Sequence, residues 1–142
     1  MTSAVLDSTV LVSAFLRQGG VADLVLTHAY EGAFDFFLAE EILAETQRVL
    51  LETARIRRRY AYPDDSVRRF IRGLRSIARL TGPLPSMTGM VARDPNDDMI
   101  VACALAAHAD YIITRDDDLL SLQAYETITM ITPEAFMDIL RH

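Results

Sequence analysis

Val5-Leu6-Asp7-Ser8-Thr9, Asp94-Pro95-Asn96-Asp97-Asp98 and Tyr111-Ile112-Ile113-Thr114-Arg115-Asp116-Asp117-Asp118 each set carboxylates at the edge of an apolar segment. Taken singly, Asp7, Asp94 or Asp116 is a good helix cap or turn residue. Taken together they raise an electrostatic question, because several carboxylates gathered at one rim repel each other unless a cation sits between them. Oxygen donors with no Cys or His nearby suit Mg²⁺ or Mn²⁺ better than zinc. On a phosphodiester such an ion would neutralise the non-bridging oxygens and orient and acidify an attacking water.

Whether these carboxylates meet depends on the elements that carry them. Ala4-Val5-Leu6 reads as a buried strand closed by Asp7, and a helix is expected from Thr9 towards Arg17. After Gly19-Gly20, the residues Val21, Leu24, Val25 and Ala29 have the spacing of a second amphipathic helix. Phe36-Phe37-Leu38 predicts a strand and Glu40 to Glu52 a helix, with Ile42, Leu43, Val49 and Leu50 inward. Pro63-Asp64-Asp65-Ser66 opens a long helix to Leu80, stopped by Gly82-Pro83-Leu84-Pro85. A helix from about Asn96 to Ala107 is apolar nearly all round and therefore buried. Then follow a strand Tyr111–Thr114, a short helical turn at Leu119-Leu120, a strand Thr127–Ile131 and a final helix capped by Thr132-Pro133-Glu134. Strands alternating with helices predict an α/β fold, three-layer α/β/α around a central, mainly parallel sheet.

In such a sheet the loops at the carboxyl ends of the strands share one rim, and ligands bind where the strand order reverses. Asp7 and Asp116 are expected at strand ends, Asp98 in the first turn of its helix, and Glu45 about one turn into the helix after another strand. All four can point into one pocket. Asp94, Asp97 and Asp117 read instead as turn, cap or solvent-facing residues.

The 142 residues, half of them apolar, are the size of one domain over residues 1–142. There is no basic leader and no run of about 18 apolar residues, so a soluble cytoplasmic protein is expected, without a membrane. Cys103 is alone in an Ala-rich helix, which excludes disulfides and Cys-based zinc and makes it a core filler. The net charge of −6 argues against a simple nucleic-acid coat. Its distribution is uneven: the chain has no Lys, and most of its Arg fall between Arg55 and Arg79. Arg55, Arg57, Arg58, Arg59 and the stripe Arg68, Arg72, Arg75, Arg79 are either a track for a nucleic-acid backbone or the wet side of helices. Tyr60 and Tyr62 among them either stack on bases or cover core.

The chain resembles a PIN-domain protein, of the group of toxin components of toxin–antitoxin systems related to the VapC-type ribonucleases. The resemblance rests on Val5-Leu6-Asp7-Ser8-Thr9-Val10-Leu11-Val12-Ser13-Ala14 and Glu41-Ile42-Leu43-Ala44-Glu45. It continues in Arg93-Asp94-Pro95-Asn96-Asp97-Asp98-Met99-Ile100-Val101-Ala102 and in Ala109 to Leu120, in that order and spacing. It implies Asp7, Glu45, Asp98 and Asp116 as the acidic, metal-binding catalytic set, with Asp118 a supporting carboxylate. The implied activity is Mg²⁺- or Mn²⁺-dependent cleavage of RNA, and the implied partners are a cognate antitoxin and a second copy in a homodimer. Thr9 stands where the family commonly has Asn and Ser8 where it has Thr; both keep a hydroxyl that can bond a carboxylate. Arg115 replaces a frequent Gly and is expected to be solvated, and His108 replaces a helix-ending Gly, which predicts a strained helix end. Two other readings stay open. An aspartyl phosphoryl-transfer enzyme shares this length and architecture but uses a Lys, absent here. A catalytically inactive PIN-like module would bind RNA or a partner while keeping the acidic rim.

Overall fold

The computed structural model describes residues 1–85 and 95–141. The first apolar run forms β1 (Ser3–Leu6), buried throughout, and Asp7 caps the helix that follows, α1 (Ser8–Leu16). Gly19 takes a left-handed φ of 81° in the turn before α2 (Val21–Tyr30). Next come β2 (Asp35–Leu38), α3 (Glu40–Glu52), a short helix α4 (Ala54–Tyr60), α5 (Asp64–Ile77) and the two-residue strand β3 (Arg79–Leu80). The remainder comprises α6 (Pro95–Ala107), β4 (Tyr111–Ile113), α7 (Asp117–Leu120), β5 (Ala124–Tyr125), β6 (Ile128–Ile131) and α8 (Pro133–Arg141).

Three of these elements depart from the sequence expectation. The stretch before Tyr62, to which the sequence assigns no element, is a helix, α4, and the long Arg-bearing helix ends at Ile77, so that Arg79 and Leu80 pair as an edge strand with β2. The two-residue β5 closes a small hairpin onto β6. Asp94 lies outside the described residues.

Among the described residues the sheet has the order β3-β2-β1-β4-β6-β5, parallel except for the β5–β6 pair. From β1 the chain builds outward through β2 and β3, then crosses back to place β4 on the other side of β1. The strand order therefore reverses between β1 and β4, where a parallel α/β sheet opens its crevice. Helices cover both faces in a three-layer α/β/α arrangement. α6 packs across β1, β2 and β4, and its Ile100, Val101, Cys103 and Ala104 are buried with the strand residues Val5, Leu6, Ile112 and Ile113. Burial pushes the Cys103 thiol up to about 12, so it stays protonated and inert as a filler. No single helix among the described residues is long and apolar enough to cross a membrane.

Candidate metal centre

The register Leu6↔Ile113 brings Asp7 and Thr114 to the same rim, one residue beyond the paired strands. Asp7 is 5% exposed and acts as the N-cap of α1, accepting from the Thr9 amide at 3.4 Å and the Ser8 hydroxyl at 3.4 Å. Its other carboxylate oxygen accepts a shorter bond, 2.8 Å, from the Thr114 hydroxyl. That same hydroxyl accepts from the Asp116 amide at 3.0 Å, so one buried oxygen ties the ends of β1 and β4 together. Asp116 in turn caps α7 by accepting from the Asp118 amide at 2.8 Å. Burial raises the pKa of Asp7 above the ordinary carboxylate value; the bonds from Thr114 and Thr9 oppose the rise, and the neighbouring charge of Asp116 adds to it.

Thr114 has a signature of its own in the sequence, a hydroxyl closing an apolar strand two residues before Asp116. Thr114→Val should cost about 1–3 kcal/mol of stability, because it strands the Asp7 carboxylate and the Asp116 amide. It should also weaken divalent-ion binding about 10- to 100-fold, as loss of a ligand-orienting bond does. Thermal melts and Mn²⁺ titrations of Thr114→Val beside Thr114→Ser, which keeps the hydroxyl, measure both effects.

Asp7, Glu45, Asp97 and Asp116 line one cavity of about 240 Å³, together with Ser8, Thr9, Val12, Val49, Ile56 and Asn96. Carboxylate oxygens of Asp97, Asp116 and Asp118 come within 4.8 Å of one another. The α6 acid at this cavity is thus Asp97, 3% exposed, and not a solvent-facing cap. Asp98, expected in that place, is also buried but is not among the residues lining the cavity. Adjacent helix positions differ by about 100° in direction, which separates the two carboxylates. Asp118 is exposed and belongs to this cluster, though it is not among the residues lining the cavity.

Glu45 projects from α3 and is held by Arg48, one turn on, through two bonds of 2.7 and 3.1 Å, and by Asn96 at 3.4 Å. Arg48 is more than half exposed, so solvent screens the pair and it holds Glu45 only weakly. Arg48→Gln would remove both guanidinium bonds from Glu45. It should tighten Mn²⁺ binding by no more than about fivefold, the ceiling that such a surface pair sets, as read by calorimetry.

The donor set fits a hard divalent cation. Among the described residues that line the cavity, every group able to ligate such an ion does so through oxygen, and none is Cys or His.

Other side chains singled out in the sequence have defined environments. Arg115 is not simply solvated: it makes a two-pronged ion pair with Glu134 of α8, at 2.6 and 2.9 Å. Arg57 donates to the Leu51 and Tyr62 carbonyls and pairs with Asp64, while Arg75 pairs with Glu40 and Arg79 with Asp35. Tyr62 covers core, with its hydroxyl donating to the Leu50 carbonyl at 2.6 Å and its ring edge-on to Phe15. His108 takes a left-handed φ of 51° as α6 ends, the strained terminus that replacing Gly predicts.

No curated protein matches the chain. The PIN-domain family does match it, over residues 3–118, a span that includes both strand ends, α3, α6 and every carboxylate of the cavity. PIN domains are generally nucleases that use divalent metals, in agreement with an all-oxygen acidic cavity at the strand-order reversal. The chain belongs to the PIN-domain family.

Proposed function

We propose that this protein is a divalent-metal-dependent endoribonuclease, the toxin of a toxin–antitoxin pair, acting as a single domain in the cytoplasm. The observation that carries the reading is the convergence of Asp7, Glu45, Asp97 and Asp116 on one cavity between β1 and β4. Asp7, Asp97 and Asp116 would hold Mg²⁺ or Mn²⁺, with Asp118 and Glu45 on either side; Asp97 takes the role expected of Asp98. Bound there, the ion would supply charge neutralisation for a phosphodiester and an acidified water. The chain's own residues do the positioning. Thr114 fixes the separation of Asp7 and Asp116, and the N-cap geometry at Asp7 holds its carboxylate to one orientation. Burial keeps bulk water from solvating Asp7, which leaves a cation as its strongest available partner.

An aspartyl phosphoryl-transfer enzyme fits less well, since the chain has no Lys to hold a phosphoryl group. PIN domains often pair with antitoxins, and a basic antitoxin side chain would be complementary to this acidic cavity. A homodimer belongs to the same proposal by resemblance to the toxin group, and size-exclusion chromatography with light scattering measures it. RNA cleavage in Mn²⁺ that is lost on chelation and lost in Asp7→Asn supports the nuclease. Equal behaviour of wild type and Asp7→Asn would leave an inactive binding module instead.

A further inference from the structure

The cavity has a side that the carboxylates do not explain. Val12 of α1, Val49 of α3 and Ile56 of α4 line it together with the oxygen-bearing side chains. Ion-and-water chemistry alone has no use for an apolar wall, and leaving branched aliphatic carbons facing solvent is unfavourable by about 25 cal/mol per Å². Val49 and Ile56 are half-buried, with part of each side chain against the core and part towards the cavity. All three are branched at Cβ, hence stiff about χ1, and they come from three helices that pack on the same core. The wall is preformed.

A ligand that satisfies both sides must carry an anion, brought to the carboxylates by a cation, next to a flat apolar group. A nucleotide is such a molecule. The volume of about 240 Å³ is below the roughly 300–1,000 Å³ of cavities that take drug-sized ligands, and suits one base and not a base pair. A lysine or arginine side chain from a protein would also match an aliphatic wall beside acids. The charge on α4 favours the polyanion: Ile56 shares this helix with exposed Arg55, Arg58 and Arg59. One turn beyond Ile56, Tyr60 stacks under the Arg59 guanidinium at 5.6 Å.

We propose that Val12, Val49 and Ile56 form a seat for the nucleobase adjacent to the scissile phosphate. RNA would then bind with that base unpaired and turned out of its stack. The inference rests on the nuclease reading for the position of the phosphate, and it is tested separately from it.

The direct test follows the labelled methyl groups of Val12, Val49 and Ile56 by NMR, with Mg²⁺ present, during titration with uridine or adenosine 5′-monophosphate, ribose 5-phosphate and arginine amide. Shifts of these methyls with the nucleotides and not with ribose 5-phosphate are expected. Shifts with arginine amide alone, or equal shifts with ribose 5-phosphate, would overturn the seat. The kinetic arm uses an oligoribonucleotide with a single abasic residue on either side of the cleaved bond. One abasic position should slow cleavage about tenfold, and Ile56→Ser should slow the intact substrate similarly while leaving the abasic one unchanged. Equal cleavage of intact and abasic substrates would remove the seat and leave the nuclease standing. Nucleotide-specific methyl shifts without any RNA cleavage would do the reverse.

Discussion

Asp7→Asn is expected to lower RNA cleavage by about 10³-fold, since removing one charged ligand forfeits several kcal/mol of charge stabilisation at the reacting phosphate. The same substitution should raise the melting temperature of the metal-free protein. Asp7 is buried, and its pKa is raised chiefly by desolvation, so its ionised form is a cost to the fold. The sign follows from linkage. An acid whose folded pKa lies above its unfolded value favours folding fully below the ordinary carboxylate value of 3.8, and that contribution is lost as pH rises through the raised value. Metal-free wild type should therefore lose stability across that interval, and Asp7→Asn should not show this part of the dependence. With Mn²⁺ present the order reverses, because the ion requires deprotonated ligands; the Mn²⁺-induced rise in melting temperature should disappear as pH falls through the same interval. Melts of both proteins across pH, with and without Mn²⁺, check all of this. A metal-free Asp7→Asn that is less stable than wild type at neutral pH would contradict the account of Asp7.

Asp97→Asn should match Asp7→Asn in activity, a loss on the order of 10²–10³-fold, whereas Asp98→Asn should stay within a few-fold of wild type. Only Asp97 lines the cavity and joins the cluster with Asp116 and Asp118. Because both residues are buried, folding must be verified for each variant by its melting curve. Calorimetry separates the two further: Asp97→Asn should abolish detectable Mn²⁺ binding and Asp98→Asn should preserve it. The opposite pattern would mean that α6 presents its next residue to the cavity, about 100° round the helix, and would restore Asp98 to the site.

That pair of neighbours also shows where reading the chain as a sequence runs out. The alternation of apolar runs with amphipathic stretches carried the α/β architecture, and the rule that parallel strands share a carboxyl rim carried Asp7 and Asp116 to one place. Glu45 followed because α3 has a clear inward stripe of Ile42, Leu43 and Leu50 that fixes which way its acids face. α6 has no such stripe. Its run from Ile100 to Ala104 is buried on every side, so hydrophobic periodicity gives no rotational phase, and Asp97 and Asp98 are equivalent until the helix is seen against the sheet.

α4 was hidden for a related reason. Ala-Arg-Ile-Arg-Arg-Arg-Tyr has Ile56 as its one large aliphatic residue in about two turns, and what fixes the helix is Arg57 bonding to the carbonyls of Leu51 and Tyr62 and pairing with Asp64, contacts that exist only after folding. β3 and β5, at two residues each, are too short to have a period. The apolar wall of the cavity was invisible because Val12, Val49 and Ile56 each read as ordinary core residues, and only their meeting from three helices makes a surface of them.

The most direct measurement is a crystal soaked in Mn²⁺ and examined at a wavelength where manganese scatters anomalously. The account predicts an anomalous peak in the cavity between β1 and β4, ligated by carboxylates of Asp7, Asp97 and Asp116, and its loss in Asp97→Asn. A well-diffracting soaked crystal with no peak there, or with the ion held elsewhere while these three carboxylates point apart, would contradict it.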